Sequence, residues 1–256
     1  MRICSIWVIG IFINIIGSYN ALFLSNFSNI WPGSTVYYNA APELPQSWIK
    51  AIKYGITYIN ALHCVYWVQR QPTDKYVNDY VSFQYNYIPF EDMSGCEAWV
   101  GHHGGQQPLV LGTKCMNKSV QVQRTAVLHE MMHTMGFEHE HQRYNRYCYV
   151  NVSDAVVRVD PASYNILPPP AYFTDWPYDY ESIMHYHELD KLVWPYNPNQ
   201  KMGRDDAQLS QYDLEKLQYL YCGGPSFCSK YGKAKCREVK AAEKKNPHCK
   251  TVLPKG

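Results

Sequence analysis

The chemistry open to this chain is concentrated in one stretch, His129-Glu130-Met131-Met132-His133-Thr134-Met135-Gly136-Phe137-Glu138-His139-Glu140. On a helix, His129 and His133 stand one turn apart on a single face, and Glu130 is rotated by about 100° from His129. Two imidazoles and a neighbouring carboxylate then meet at one place. Gly136 permits the positive φ of a helix stop, so the chain can turn back and bring His139 to the same point. Three neutral nitrogens with one position left open describe a catalytic zinc site with one Zn2+ rather than a closed structural one. Such an ion polarises a scissile carbonyl and makes a water acidic, and Glu130 is the base that takes the water's proton and passes it to the leaving amine. The competing reading is a buried helix whose histidines satisfy core hydrogen bonds. It does not explain why the whole pattern H-E-x-x-H-x-x-G-x-x-H is present.

The extended motif resembles that of the metzincins. Glu140 directly after the third histidine, with Gly136-Phe137, resembles the astacin family of zinc metalloendopeptidases, and Tyr180-Glu181-Ser182-Ile183-Met184-His185-Tyr186 is similar to that family's Met-turn. The likeness runs from about Trp31 to Cys222. It implies an α+β, two-lobed catalytic domain: an N-terminal twisted sheet with two long helices, then a loop-rich C-terminal lobe that ends in a helix. It also implies roles. His129, His133, His139 and Tyr186 would hold zinc, with Tyr186 swinging to the tetrahedral oxyanion. Met184 would floor the site, and Glu140 would receive the mature amino terminus through solvent. The stretch from Ala98 through Trp99, Val100 and Gly101 would form an edge strand to which an extended peptide substrate adds. The family's disulfides would be Cys64 to Cys222 and Cys96 to Cys115. One departure is visible, since the family's residue between the final Tyr and Cys is absent and Tyr221 adjoins Cys222.

These residues need elements to position them. Thr35-Val-Tyr-Tyr reads as a strand, and Trp48, Ile52, Ile56, Ile59 and Leu62 recur at helical spacing from Gln46 onward. Val65 to Val68, Tyr76 to Phe83 and Pro108 to Gly112 read as further strands. Ser119 is a cap for the helix that carries His129 and His133, with Leu128, Met131 and Met135 on its apolar flank. After His139 regular structure thins out until Ser210-Gln-Tyr-Asp213, a capping box for a last helix through Leu214, Leu217 and Tyr221. Gly104-Gly105 lacks the Lys-Ser/Thr of a phosphate loop, so no nucleotide site is expected there. His102 and His103 read as exposed loop residues.

At 256 residues and 46% apolar composition the chain can bury a sizeable core. Met1-Arg2 before the apolar run Ile3 to Ile16 reads as a secretory signal in residues 1–20, because about 14 residues fall short of the ~20 that span a bilayer. An uncleaved anchor is the alternative, and Asn14 interrupts the run. The domain then occupies 21–222, with an N-lobe to about 139 and a C-lobe from 140. Eight cysteines outside the signal suit disulfides and secretion to the extracellular space, as do sequons at Asn26, Asn117 and Asn151. Residues 223–256 are a basic tail holding Cys228, Cys236 and Cys249. If all are oxidised, Cys148 pairs with one of these three. The tail suits acidic glycans or an anionic surface, or else simply solvent.

Astacins are commonly made with a pro-segment whose Asp occupies the zinc. Ala21 to Ile30 contains no Asp, Glu or Cys, so signal removal alone is expected to create the amino terminus for Glu140, without a latent stage. The partners are peptides or proteins, with no nucleic acid and no spanning segment in the mature chain. The function expected is a secreted zinc-dependent endopeptidase. A catalytically inactive, astacin-like binding protein is the alternative.

Overall fold

The computed structural model describes residues 29–86, 95–168, 173, 175–187 and 192–251. The signal reading and the sequon at Asn26 lie outside the described residues. The N-terminal lobe runs β1 (Thr35–Ala40), α1 (Gln46–Asn60), β2 (Tyr66–Gln69), β3 (Tyr80–Asn86), β4 (Glu97–Ala98), β5 (Gln106–Gly112), α2 (Thr113–Met116) and α3 (Val120–Thr134). Its five strands lie in the order β2-β1-β3-β5-β4. The first four are mutually parallel, and only β4 runs antiparallel, on β5.

Parallel neighbours require crossover connections, and α1 supplies the one between β1 and β2. Its apolar face, with Trp48, Ile52 and Ile59, closes over Val36, Phe83, Leu109 and Leu111 of the sheet. Each such side chain contributes about 1.5–3 kcal/mol on full burial. α3 packs beside α1, and Gly55 sets how near they come. A Cβ there would stand 2.7 Å from Met131 Sδ, so any larger residue would force the Met131 side chain to move. Val127, Leu128, Met131, Met132 and Met135 of this stretch are all fully buried.

The strand expected over Tyr76 to Phe83 begins later and runs further, at Tyr80–Asn86. Its start is set by Asp79, whose carboxylate accepts the Gly105 N–H (2.7 Å), while Tyr80 N donates to Gly105 O (3.0 Å). Tyr76, for all its strand propensity, is 97% exposed. His102 is not a free loop residue either: it bonds Asp79 (3.0 Å) and lies edge-on to Trp31.

The C-terminal lobe contains β6 (Val150–Val152), α4 (Asp154–Val159), α5 (Pro161–Tyr164), β7 (Val193–Pro195) and α6 (Gln211–Tyr221). A small second core forms from Val150, Tyr164, Tyr178, Val193 and Met202. α6 instead sends Leu217, Leu220 and Tyr221 into the first core, joining the lobes. Tyr221 Oη donates to Met135 O (3.0 Å) and Trp31 Nε1 donates to Thr134 O (2.9 Å), so both brace the C-terminal end of α3.

Cys64 pairs with Cys222 and Cys96 with Cys115, as the resemblance implies; Cys148 takes Cys249 and Cys228 takes Cys236. The tail is folded and anchored, though most of its side chains stay exposed. It forms α7 (Phe227–Lys245), capped by Ser226 and anchored by the buried Phe227. Lys230 and Tyr231 both bond Glu215 of α6 (2.9 and 2.6 Å), and Glu243 bonds Asn145 at the other end. No described helix is long and apolar enough to cross a membrane.

Candidate metal centre and active-site cleft

Ser119 Oγ accepts the Val122 N–H and starts α3; Gly136, at φ 98°, ends it. The Gly136 N–H donates to His133 O (2.8 Å) and the Phe137 N–H to Met132 O (3.1 Å), the paired bonds of a Schellman stop. The turn expected at Gly136 is therefore present, and it returns His139 to the face that carries His129 and His133.

The three imidazoles offer ligand atoms that all lie within 4.8 Å of one another. Nε2 of His139 is 3.2 Å from Nε2 of His129 and 3.1 Å from Nε2 of His133. The opposite nitrogens are each committed to an oxygen. Nδ1 of His129 donates to Ile183 O (2.7 Å), Nδ1 of His133 to Phe137 O (2.7 Å), and Nδ1 of His139 to Gln142 Oε1 (2.9 Å). An oxygen with no hydrogen forces the proton onto Nδ1, so three bare Nε2 lone pairs face one another. Burial keeps all three rings neutral by lowering their pKa values. Converging lone pairs repel unless a cation lies between them, which is the arrangement that fits zinc.

Gln142 carries no signal of this role in the sequence. Its amide donates to Ala162 O (2.9 Å) and Asn165 O (3.1 Å), which leaves Oε1 for His139. A second support is visible in the sequence only as a helix cap. Asp213, at the third position of α6, completes the capping box with Ser210 and also accepts Ser182 Oγ (2.6 Å) and the Ile183 N–H (2.9 Å). Because Ile183 O holds His129, the α6 cap sets the orientation of the first imidazole.

Glu130 is 6% exposed and borders the cleft. Burial, with some repulsion from Glu97, pushes its carboxyl up to about 8; a dication beside it acts in the opposite sense. Met184 is buried, and its carbonyl accepts the Glu140 N–H (2.9 Å). The Tyr186 ring lies 4.5 Å from that of His139 and 4.2 Å from that of His141, and burial raises its phenol pKa. Glu140 is buried behind the ligands. Its carboxylate accepts from Arg143 (2.7 Å), the Asp179 N–H (2.9 Å) and Lys216 (3.1 Å). Burial alone would raise its pKa, but the two cations and these hydrogen bonds outweigh it and hold the group down to about 2.

The sheet edge beside the site is β4, at Glu97–Ala98, so of the expected stretch Ala98 lies in the strand and Trp99, Val100 and Gly101 do not. Gly101 adopts φ 83° and its N–H donates to His133 O (2.9 Å), so the backbone turns out of the ladder before it. Trp99 stays half exposed, and Val100 lines the cleft. That cleft, ≈ 690 Å³, runs from Ala98 and Lys114 past the triad to Tyr186 and Arg204.

An open cleft over a histidine triad, with a buried carboxylate beside it, is an arrangement that fits one metal ion with a position left open. More narrowly, residues 23–222 match the family model for Astacin, a peptidase family, and the chain belongs to the astacin family. It is 30% identical over 205 residues to "Zinc metalloproteinase nas-14" of Caenorhabditis elegans, covering 76% of this chain and 38% of that protein. With "Zinc metalloproteinase nas-4" of the same organism the identity is 28% over 210 residues, covering 77% and 60%. The chain thus spans less than two thirds of these relatives. Among solved structures it resembles high choriolytic enzyme 1, a hatching enzyme zinc-protease from Oryzias latipes, with TM-score 0.59 and 25% identity over 76% of this chain and 95% of that one.

Proposed function

We propose that this chain is a secreted zinc-dependent endopeptidase acting on peptide bonds of extracellular proteins. The observation that carries the reading is the convergence of three Nε2 lone pairs beside the buried Glu130 in a cleft long enough for an extended peptide. A zinc ion held by His129, His133 and His139 supplies Lewis acidity there. The Glu130 carboxylate, buried at the cleft with no hydrogen-bond partner among the described residues, takes the proton of the attacking water and returns it to the leaving amine. Tyr186 is kept protonated by its raised pKa, so its hydroxyl can donate to the oxyanion as the carbonyl becomes tetrahedral. The outer edge of β4, unpaired among the described residues, orients the substrate backbone as an added antiparallel strand. Four disulfides support an oxidising, extracellular setting, and exposed Asn117 is a suitable glycan acceptor.

Cleavage of an unfolded protein should stop when a chelator strips the metal and return when one equivalent of zinc is restored. Cleavage that persists in the metal-stripped protein would remove the proposal.

A further inference from the structure

Glu138 is an acidic side chain in the cleft with no assigned work. It lies between the buried Phe137 and the ligand position His139, and it lines both the main cleft and a small cavity of ≈ 10 Å³ beneath it. Among the described residues no hydrogen bond or ion pair reaches its carboxylate, although it is partly buried. Among the described residues, the cations in this part of the fold are already used. Lys216 and Arg143 both pair with Glu140, and Arg146 donates to His141 O and Tyr164 O. Elsewhere along the cleft the charges are paired or open to water: Arg204 with Asp206 and Glu181, Asp205 with His187, and Lys114, Lys118 and Glu97 on exposed rims.

A carboxylate removed from water without a counter-ion is costly, and a cation brought to it recovers much of that cost. The open side that can deliver one is the cleft itself, where a substrate side chain enters. We propose that Glu138 is a specificity residue that selects a lysine or arginine side chain at the substrate position lying against it. The proposal rests on the endopeptidase reading above. Glutamine at that substrate position can offer Glu138 one neutral donor, whereas glutamate brings a second negative charge into the same pocket. The order expected is therefore Arg or Lys above Gln, and Gln above Glu.

The test uses the zinc-loaded full chain and peptides that differ at one residue, set in turn to Arg, Lys, Gln or Glu at each of three positions on either side of the scissile bond. One position should show kcat/KM higher by on the order of tenfold for Arg and Lys than for Gln. In Glu138→Gln that preference should flatten at that position while zinc content is retained, and Glu138→Arg should invert it in favour of Glu. Absence of any basic preference, or one that survives in Glu138→Gln, overturns the proposal. Binding of the same peptides to zinc-loaded Glu130→Gln reads the preference without turnover. Selective binding through Glu138 with no cleavage by the unaltered protein would sink the endopeptidase reading and leave the specificity proposal standing.

Discussion

Gln142 holds His139 by its carbonyl oxygen and is itself held by two carbonyls of the loop around α5, so it transmits the position of that loop to the third imidazole. Gln142→Leu keeps the bulk but removes the acceptor, leaving the His139 Nδ1–H without its partner. Zinc affinity is expected to fall about 10–100-fold, read by competition with a chromophoric chelator. An unchanged affinity would mean that the ring is oriented by packing alone. At this scale the sequence is most informative where chemistry is local. His129, Glu130, His133, Gly136 and His139 are set by one helix and its stop, so their spacing announces them. Gln142 follows closely in the chain, yet its role depends on Ala162 and Asn165, and nothing in local spacing reports that contact.

Elements are tied together here by buried charges. Glu140 follows the third ligand, while Lys216 belongs to α6, and their bond, with Arg143 and the Asp179 N–H, fixes the last helix against the site. Glu140 has a folded pKa of about 2 against an ordinary 4.5, so its stabilisation is present above pH 4.5 and is lost as pH falls from there towards 2. In metal-free protein, the stability gap between the unaltered chain and Glu140→Gln should therefore narrow over that range in chemical denaturation. A gap that stays constant would show that the ionised form is not what matters. α1 is legible from its regular apolar period, α3 from its Ser119 cap and the spacing of its histidines, and α6 from its capping box. β6 and β7 are three residues each and exist only by pairing between distant parts of the chain, so no local period marks them. β4 is cut short by the Gly101 bond to His133, a tertiary contact that strand propensity cannot contain.

On the scale of the whole molecule, disulfides and the tail complete the architecture. Cys148 to Cys249 and the Glu215 contacts lay α7 along the C-terminal lobe, and Lys233, Arg237, Lys244 and Lys245 have no acidic partner among the described residues. This face is proposed to bind acidic glycans. Replacing Lys233, Lys244 and Lys245 by Glu should lower the salt needed to elute the protein from heparin; an unchanged elution would assign these charges to solvent. The tail's charge is legible from composition and its attachment through Cys148 from the cysteine count, but which tail cysteine takes Cys148 and the Glu243 contact with Asn145 are not, because they join distant parts of the chain.

Glu130 remains the centre of the proposed chemistry. Glu130→Gln preserves shape and leaves the three imidazoles and their carbonyl partners untouched, so zinc should bind at one equivalent as before. The most direct measurement is zinc stoichiometry alongside the cleavage rate of an unfolded protein by the same preparation. Full zinc with a rate lower by about 10²–10⁴ is the expected result, and full zinc with an undiminished rate would contradict it.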